Sequence, residues 1–129
     1  MDEPEINLHP KAQMRLLEVV TMAVNKGLYV LITTHSPYFI DHVNNLMNAK
    51  ICIERDEKVT KDLLEKYTIP EQALIHPDMV SAYYFDEKGN TVDIVNREHN
   101  FIDWKSLAIV ADELSDISYD FDEVVYEHE

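Results

Sequence analysis

The chain has 129 residues, of which 25 are Asp or Glu and 11 are Lys or Arg, for a formal net charge of −14. That length is one domain's worth or less, and an apolar share of 46% is enough for a real core. No apolar run approaches the roughly 18–20 residues of a membrane span, and the acidic balance opposes nucleic-acid binding over a broad surface of this segment. A cytoplasmic protein without membrane contact is expected. One cysteine, Cys52, excludes an internal disulfide; within Ile51-Cys52-Ile53 it reads as a buried, inert thiol.

Residues 1–9 read as a loop. Pro10 suits the first position of a helix, and Met14, Leu17, Val20 and Val24 recur at helical spacing up to Gly27, which predicts a helix over about 10–25. Leu28 to Thr33 is a continuous β-prone run, expected to be a strand buried on both faces of a parallel sheet. Ser36 as N-cap and Pro37 as first helical residue predict a second helix to about 47, with Asn48 ending it. Lys50 to Glu54 reads as another short buried strand, completing a strand–helix–strand unit.

Thr60 to Tyr67 predicts a helix, and Pro70 and Pro77 bracket an irregular piece. Val80 to Asp86 and Thr91 to Asn96 flank Glu87-Lys88-Gly89-Asn90 and read as a β-hairpin, in which Tyr83, Tyr84 and Phe85 are read as packing residues. Asp103 is expected to cap a final helix from Trp104 to about Ser115. From Asp112 to Glu129 there are eight acidic residues and no lysine or arginine, the pattern of a solvated tail. Leu114, Ile117, Tyr119, Phe121, Val124, Val125 and Tyr126 within it leave open a docking strip for a basic partner.

Two motifs carry chemistry: Asp2-Glu3-Pro4-Glu5-Ile6-Asn7-Leu8-His9-Pro10 and Thr33-Thr34-His35-Ser36-Pro37. Adjacent carboxylates at a strand end can divide nucleotide hydrolysis between them. One supports Mg²⁺, a hard cation that takes oxygen ligands, and the other orients or deprotonates the attacking water. A histidine at a neighbouring strand end faces the same crevice. His9, His42, His76, His99 and His128 show no metal-ligand spacing with cysteine, so no zinc site is assigned.

Together the motifs resemble the ABC-type ATPases, in particular the soluble branch related to the RecF, SMC and overcoming-lysogenization-defect proteins. Asp2-Glu3 looks like the end of a Walker B motif, Asn7-Leu8-His9 falls at the D-loop, and His35 looks like the H-loop histidine. The resemblance implies that Asp2 supports Mg²⁺ through water, Glu3 is the catalytic base, and His35 senses the γ-phosphate. It also implies an α/β fold: part of a P-loop NTPase sheet with flanking helices, followed by a C-terminal β-hairpin and helix. Residues 1–57 would form the C-terminal part of the ATPase core, 58–111 a variable extension, and 112–129 an acidic tail.

No G-x-x-x-x-G-K-[ST] loop exists, and Gly27 and Gly89 are the only glycines. The LSGGQ-like signature and the strand that should precede Asp2 are also missing. The expectation is therefore half an ATPase that binds ATP and Mg²⁺ only with a missing N-terminal half and is inactive alone. Incomplete sheet edges predict self-association or pairing with that half. The alternative is a stand-alone interaction module, or truncated-gene product, keeping the motifs as relics. A small hydrolase built on Glu3 and His35 has no nucleophile motif to support it.

Overall fold

The computed structural model describes residues 1–104 and 116–125. Three helices organise it: α1 (Pro10–Asn25), α2 (Pro37–Arg55) and α3 (Glu57–Tyr67). Short 3-10 turns at Glu71–Ala73 and Pro77–Met79 follow. Two small antiparallel sheets come next: β1 (Tyr83–Phe85) with β2 (Thr91–Asp93), and β3 (Val95–Asn96) with β4 (Phe101–Ile102). The fold is thus mixed α and β. No helix among the described residues is long and apolar enough to cross a membrane.

The α1 helix begins and ends where its sequence signals stand. Pro10 occupies the first turn, where its missing N–H costs nothing, and Gly27 follows the last turn at φ +103°. Ser36 caps α2 as expected, its Oγ accepting from Phe39 N at 3.2 Å.

Two strand expectations fail. Lys50 to Glu54 is not a strand but the last turns of α2, and Asn48 lies inside the helix. Phe39, Ile40, Leu46 and Met47 already set a helical stripe, and no breaker intervenes before Asp56. Asp56 stops α2 and caps α3, its Oδ1 accepting from Val59 N at 3.2 Å. The strand–helix–strand unit is therefore not closed. Cys52, placed on the outer side of this turn, is exposed rather than buried.

The run Leu28 to Thr33 is extended but not buried: Leu28, Tyr29 and Leu31 are well exposed. Its pairing is a parallel bridge between Asp2 and Thr33. Thr33 N donates to Met1 O at 3.0 Å, Glu3 N donates to Thr33 O at 2.8 Å, and the N-terminal amine donates to Leu31 O at 2.7 Å. Parallel pairing is as expected, but no layer among the described residues buries the run.

One core runs through the described residues, built from Leu17, Phe39, Ile40, Leu46, Met47, Leu64, Ala73, Leu74, Ile75 and Ile102. Polar side chains tie the irregular second half to the helices. Asn44 mimics a strand edge: its Nδ2 donates to Ile102 O at 3.1 Å and its Oδ1 accepts from Ile102 N at 2.6 Å. Asn25 Nδ2 donates to Leu74 O at 2.8 Å, and Arg97 donates to Pro77 O and Val80 O.

The hairpin forms at the expected turn, with Tyr83 opposite Asp93 and Phe85 opposite Thr91, but its strands are shorter than expected, and Val95–Asn96 pairs with Phe101–Ile102 instead. Asp86 closes its turn by accepting from Lys88 N and Asn90 N, and Gly89 supplies the φ of +82°. Tyr84 is half-buried, but Tyr83 and Phe85 are exposed, so only the middle aromatic packs. The final helix expected after Asp103 lies outside the described residues except for Trp104, whose Nε1 donates to Asp41 Oδ1 at 2.9 Å. In the acidic tail, residues 116–125 are helical and exposed.

Candidate functional site

The parallel bridge brings the two motifs side by side. Asp2 and Glu3 end one extended segment, and Thr33-Thr34-His35 end the other. Glu3 then turns the chain: its φ is +42°, a conformation that bulky L-residues rarely adopt and that is costly to hold away from functional or tightly constrained places. Its N–H is fixed twice, by Thr33 O at 2.8 Å and Thr33 Oγ1 at 3.2 Å. Glu3 Oε1 lies 3.6 Å from His35 Nε2. Glu3 is half-buried and His35 is open to solvent.

A layer of hydroxyls supports this pair. Thr33 Oγ1 donates to Asp2 Oδ1, and Thr34 Oγ1 donates to Glu5 Oε1. Ser36 N donates to Thr34 Oγ1 at 3.1 Å, and Ser36 Oγ donates to Gln13 Oε1. Gln13 Nε2 in turn donates to Leu8 O at 3.0 Å. Glu5 is 4% exposed, and its second oxygen, Oε2, has no hydrogen-bond partner among the described residues. The two motifs are therefore joined above and below His35, at Glu3 and at Glu5.

Glu3 and His35 come together, and Asp2 stands beside them, bonded to Thr33. Asn7, Leu8 and His9 stand on the next turn and are exposed. Asn7 takes a φ of +67°, which asparagine tolerates better than most residues. His9 caps α1, its Nδ1 accepting from Lys11 N at 3.3 Å. The supporting roles of Thr33, Thr34, Glu5 and Gln13 were not singled out from sequence. The signal available was the pair of hydroxyl residues directly before His35.

A hard divalent cation takes oxygen ligands and, when small, keeps several waters. Asp2 is exposed and accepts from the Thr33 hydroxyl, so its carboxylate could offer an oxygen to such an ion. Among the described residues no three His, Cys, Asp or Glu side chains converge into a metal cage.

A family model described as "AAA domain, putative AbiEii toxin, Type IV TA system" matches residues 1–41. That segment carries all six residues singled out above, and the match supports an AAA-type ATPase likeness for it. No curated protein and no solved structure matches the chain.

Proposed function

We propose that this chain is the C-terminal half of an ATP-binding and ATP-hydrolysing domain of the ABC type, inactive by itself. One observation carries the reading: Glu3 and His35, 32 positions apart in sequence, meet at 3.6 Å where two parallel extended segments end. Ligands of open α/β sheets bind at such strand ends. The family match over the same residues agrees with an AAA-type ATPase.

In this reading Asp2 supports Mg²⁺ through a water, and the ion, when bound, neutralises charge on the phosphates. Glu3 Oε accepts the proton of the attacking water, or orients that water through a hydrogen bond. The strained turn at Glu3 and its doubly fixed N–H set the direction of that carboxylate. His35 Nε2 faces the same crevice and donates toward the γ-phosphate side. Asn7, Leu8 and His9 occupy the turn that would face a second head domain.

No glycine-rich loop with its lysine exists in the 129 residues, so nothing here cradles the β- and γ-phosphates. The partner in this reading is a P-loop-bearing N-terminal half. The test is to mix the chain with such a half and measure nucleotide affinity and phosphate release. Restored binding, with turnover removed by Glu3→Gln, supports the proposal. Turnover by the chain alone that is lost in Glu3→Gln would refute its inactivity. Restored turnover indifferent to Glu3→Gln would refute the role of Glu3.

A further inference from the structure

The helical residues 116–125 are all exposed. Ile117, Phe121, Val124 and Val125 recur at i, i+4, i+7 and i+8, which gathers them on one stripe about 100° wide. Phe121 is 70% exposed, and Ile117 and Val124 are also open to solvent. Asp116, Ser118, Tyr119, Asp120, Asp122 and Glu123 make up the rest of residues 116–125, which include no basic residue.

A stripe of the same spacing on α3 is about half exposed. Val59, Leu63, Lys66 and Tyr67 take the same offsets, i, i+4, i+7 and i+8. Val59, Leu63 and Tyr67 are all about half exposed, although Thr60 and Leu64 beside them are buried in the core. The apolar arc of α3 is thus wider than the core that covers it. Lys66 sits over the Tyr67 ring at 5.2 Å from its centroid, which keeps a positive charge within the stripe. Helix α3 carries three lysines against three acids, one of them already held by Lys61, in a chain whose net charge is −14. It is a surface that does not repel an acidic helix.

We propose that the two stripes cover each other between two copies of this chain, the acidic helix of each lying antiparallel on α3 of the other. Within one copy both stripes are exposed, so neither covers the other there. Antiparallel packing sets Phe121 against Leu63. It brings Asp120 to the lysine end of α3 at Lys66, and Glu123 toward Lys58. The exchange is reciprocal, as a two-fold dimer requires. It is independent of the ATPase proposal and uses none of the residues assigned to it.

The test uses the full chain with Cys52→Ser as background. Leu63→Cys and Phe121→Cys are made separately, one of them tagged, and the two are mixed under mild oxidation. A disulfide-linked heterodimer that outnumbers both homodimers is the expected result. In parallel, light scattering should show a dimer that Phe121→Asp and Leu63→Asp each convert to monomer, while circular dichroism shows that the core stays folded. The proposal is overturned by a heterodimer no more abundant than the homodimers. It is also overturned if a chain carrying both cysteines closes the bond within itself, or if the dimer responds to Leu31→Lys and not to Phe121→Asp.

Discussion

Glu18 on α1 and His42 on α2 meet at 2.8 Å, Oε2 to Nε2, with both side chains 2% exposed. Arg15 closes the other side of the carboxylate at 2.6 Å and reaches on to Thr68 O at 2.7 Å, so one acid fastens α1 to α2 and, through Arg15, to the end of α3. Breaking a buried pair from one side strands the remaining partner, at about 3–5 kcal/mol. Glu18→Ala should destabilise the chain on that scale in urea titration. A change below about 1 kcal/mol would mean that the pair contributes little. Replacing both Glu18 and His42 by leucine should cost less than the sum of the two single changes.

Thr34 is the hydrogen-bond partner of the buried Glu5 carboxylate, whose other oxygen has none among the described residues. Thr34→Val keeps the shape and removes the donor, which should cost about 1–3 kcal/mol. Thr34→Ser should retain most of the stability. A larger loss in Thr34→Ser than in Thr34→Val would show that the methyl group, and not the hydroxyl, matters there.

The bounds of α1 and the start of α2 were legible because caps act locally, at Pro10, Gly27 and Ser36, whereas α3 begins at Glu57 behind its cap Asp56, ahead of the expected Thr60. The hairpin was legible for the same reason at Asp86 to Asn90. The run Lys50 to Glu54 misled because a short apolar stretch reads alike as strand or helix. Only the packing of Ile53 on the core, in register with Leu46, decides it. Cys52 followed that error. The second half was hardest, since Asn25, Asn44 and Arg97 hold its backbone by long-range side-chain bonds that leave no periodic trace. At the site, the meeting of Glu3 with His35 followed from two motifs. The hydroxyl layer beneath them depends on the register of Asp2 against Thr33, which no local pattern fixes.

Lys61 lies 2.8 Å from Glu57 one turn earlier on α3. Its hydrogen bond and charge hold the Glu57 carboxyl below its ordinary range, and Glu57 raises Lys61 in return. A lowered carboxyl pKa gives stability that is present above the unfolded value and lost as pH falls through the folded one. Both groups are fully exposed, so the effect on unfolding is small and screened by salt. Proton titration followed by NMR should show Glu57 moving up toward the normal carboxylate range in Lys61→Met. No movement would mean that the pair does not persist in solution.

The amides of Tyr29 to Ile32 donate to no protein acceptor among the described residues, whereas Thr33 N is bonded to Met1 O. An extended apolar stretch with one side unpaired is a template for another strand. Hydrogen exchange should therefore be fast from Tyr29 to Ile32 and slow from Leu17 to Thr21, whose helix packs on the core. Adding a P-loop-bearing half should slow exchange across Tyr29 to Ile32 if that half supplies the neighbouring strand. The acidic helix should be protected by dimerisation alone, and Phe121→Asp should remove that protection while leaving Tyr29 to Ile32 unchanged. Joint protection of both segments in the isolated chain, lost together in Leu31→Lys, would instead assign self-association to the sheet edge.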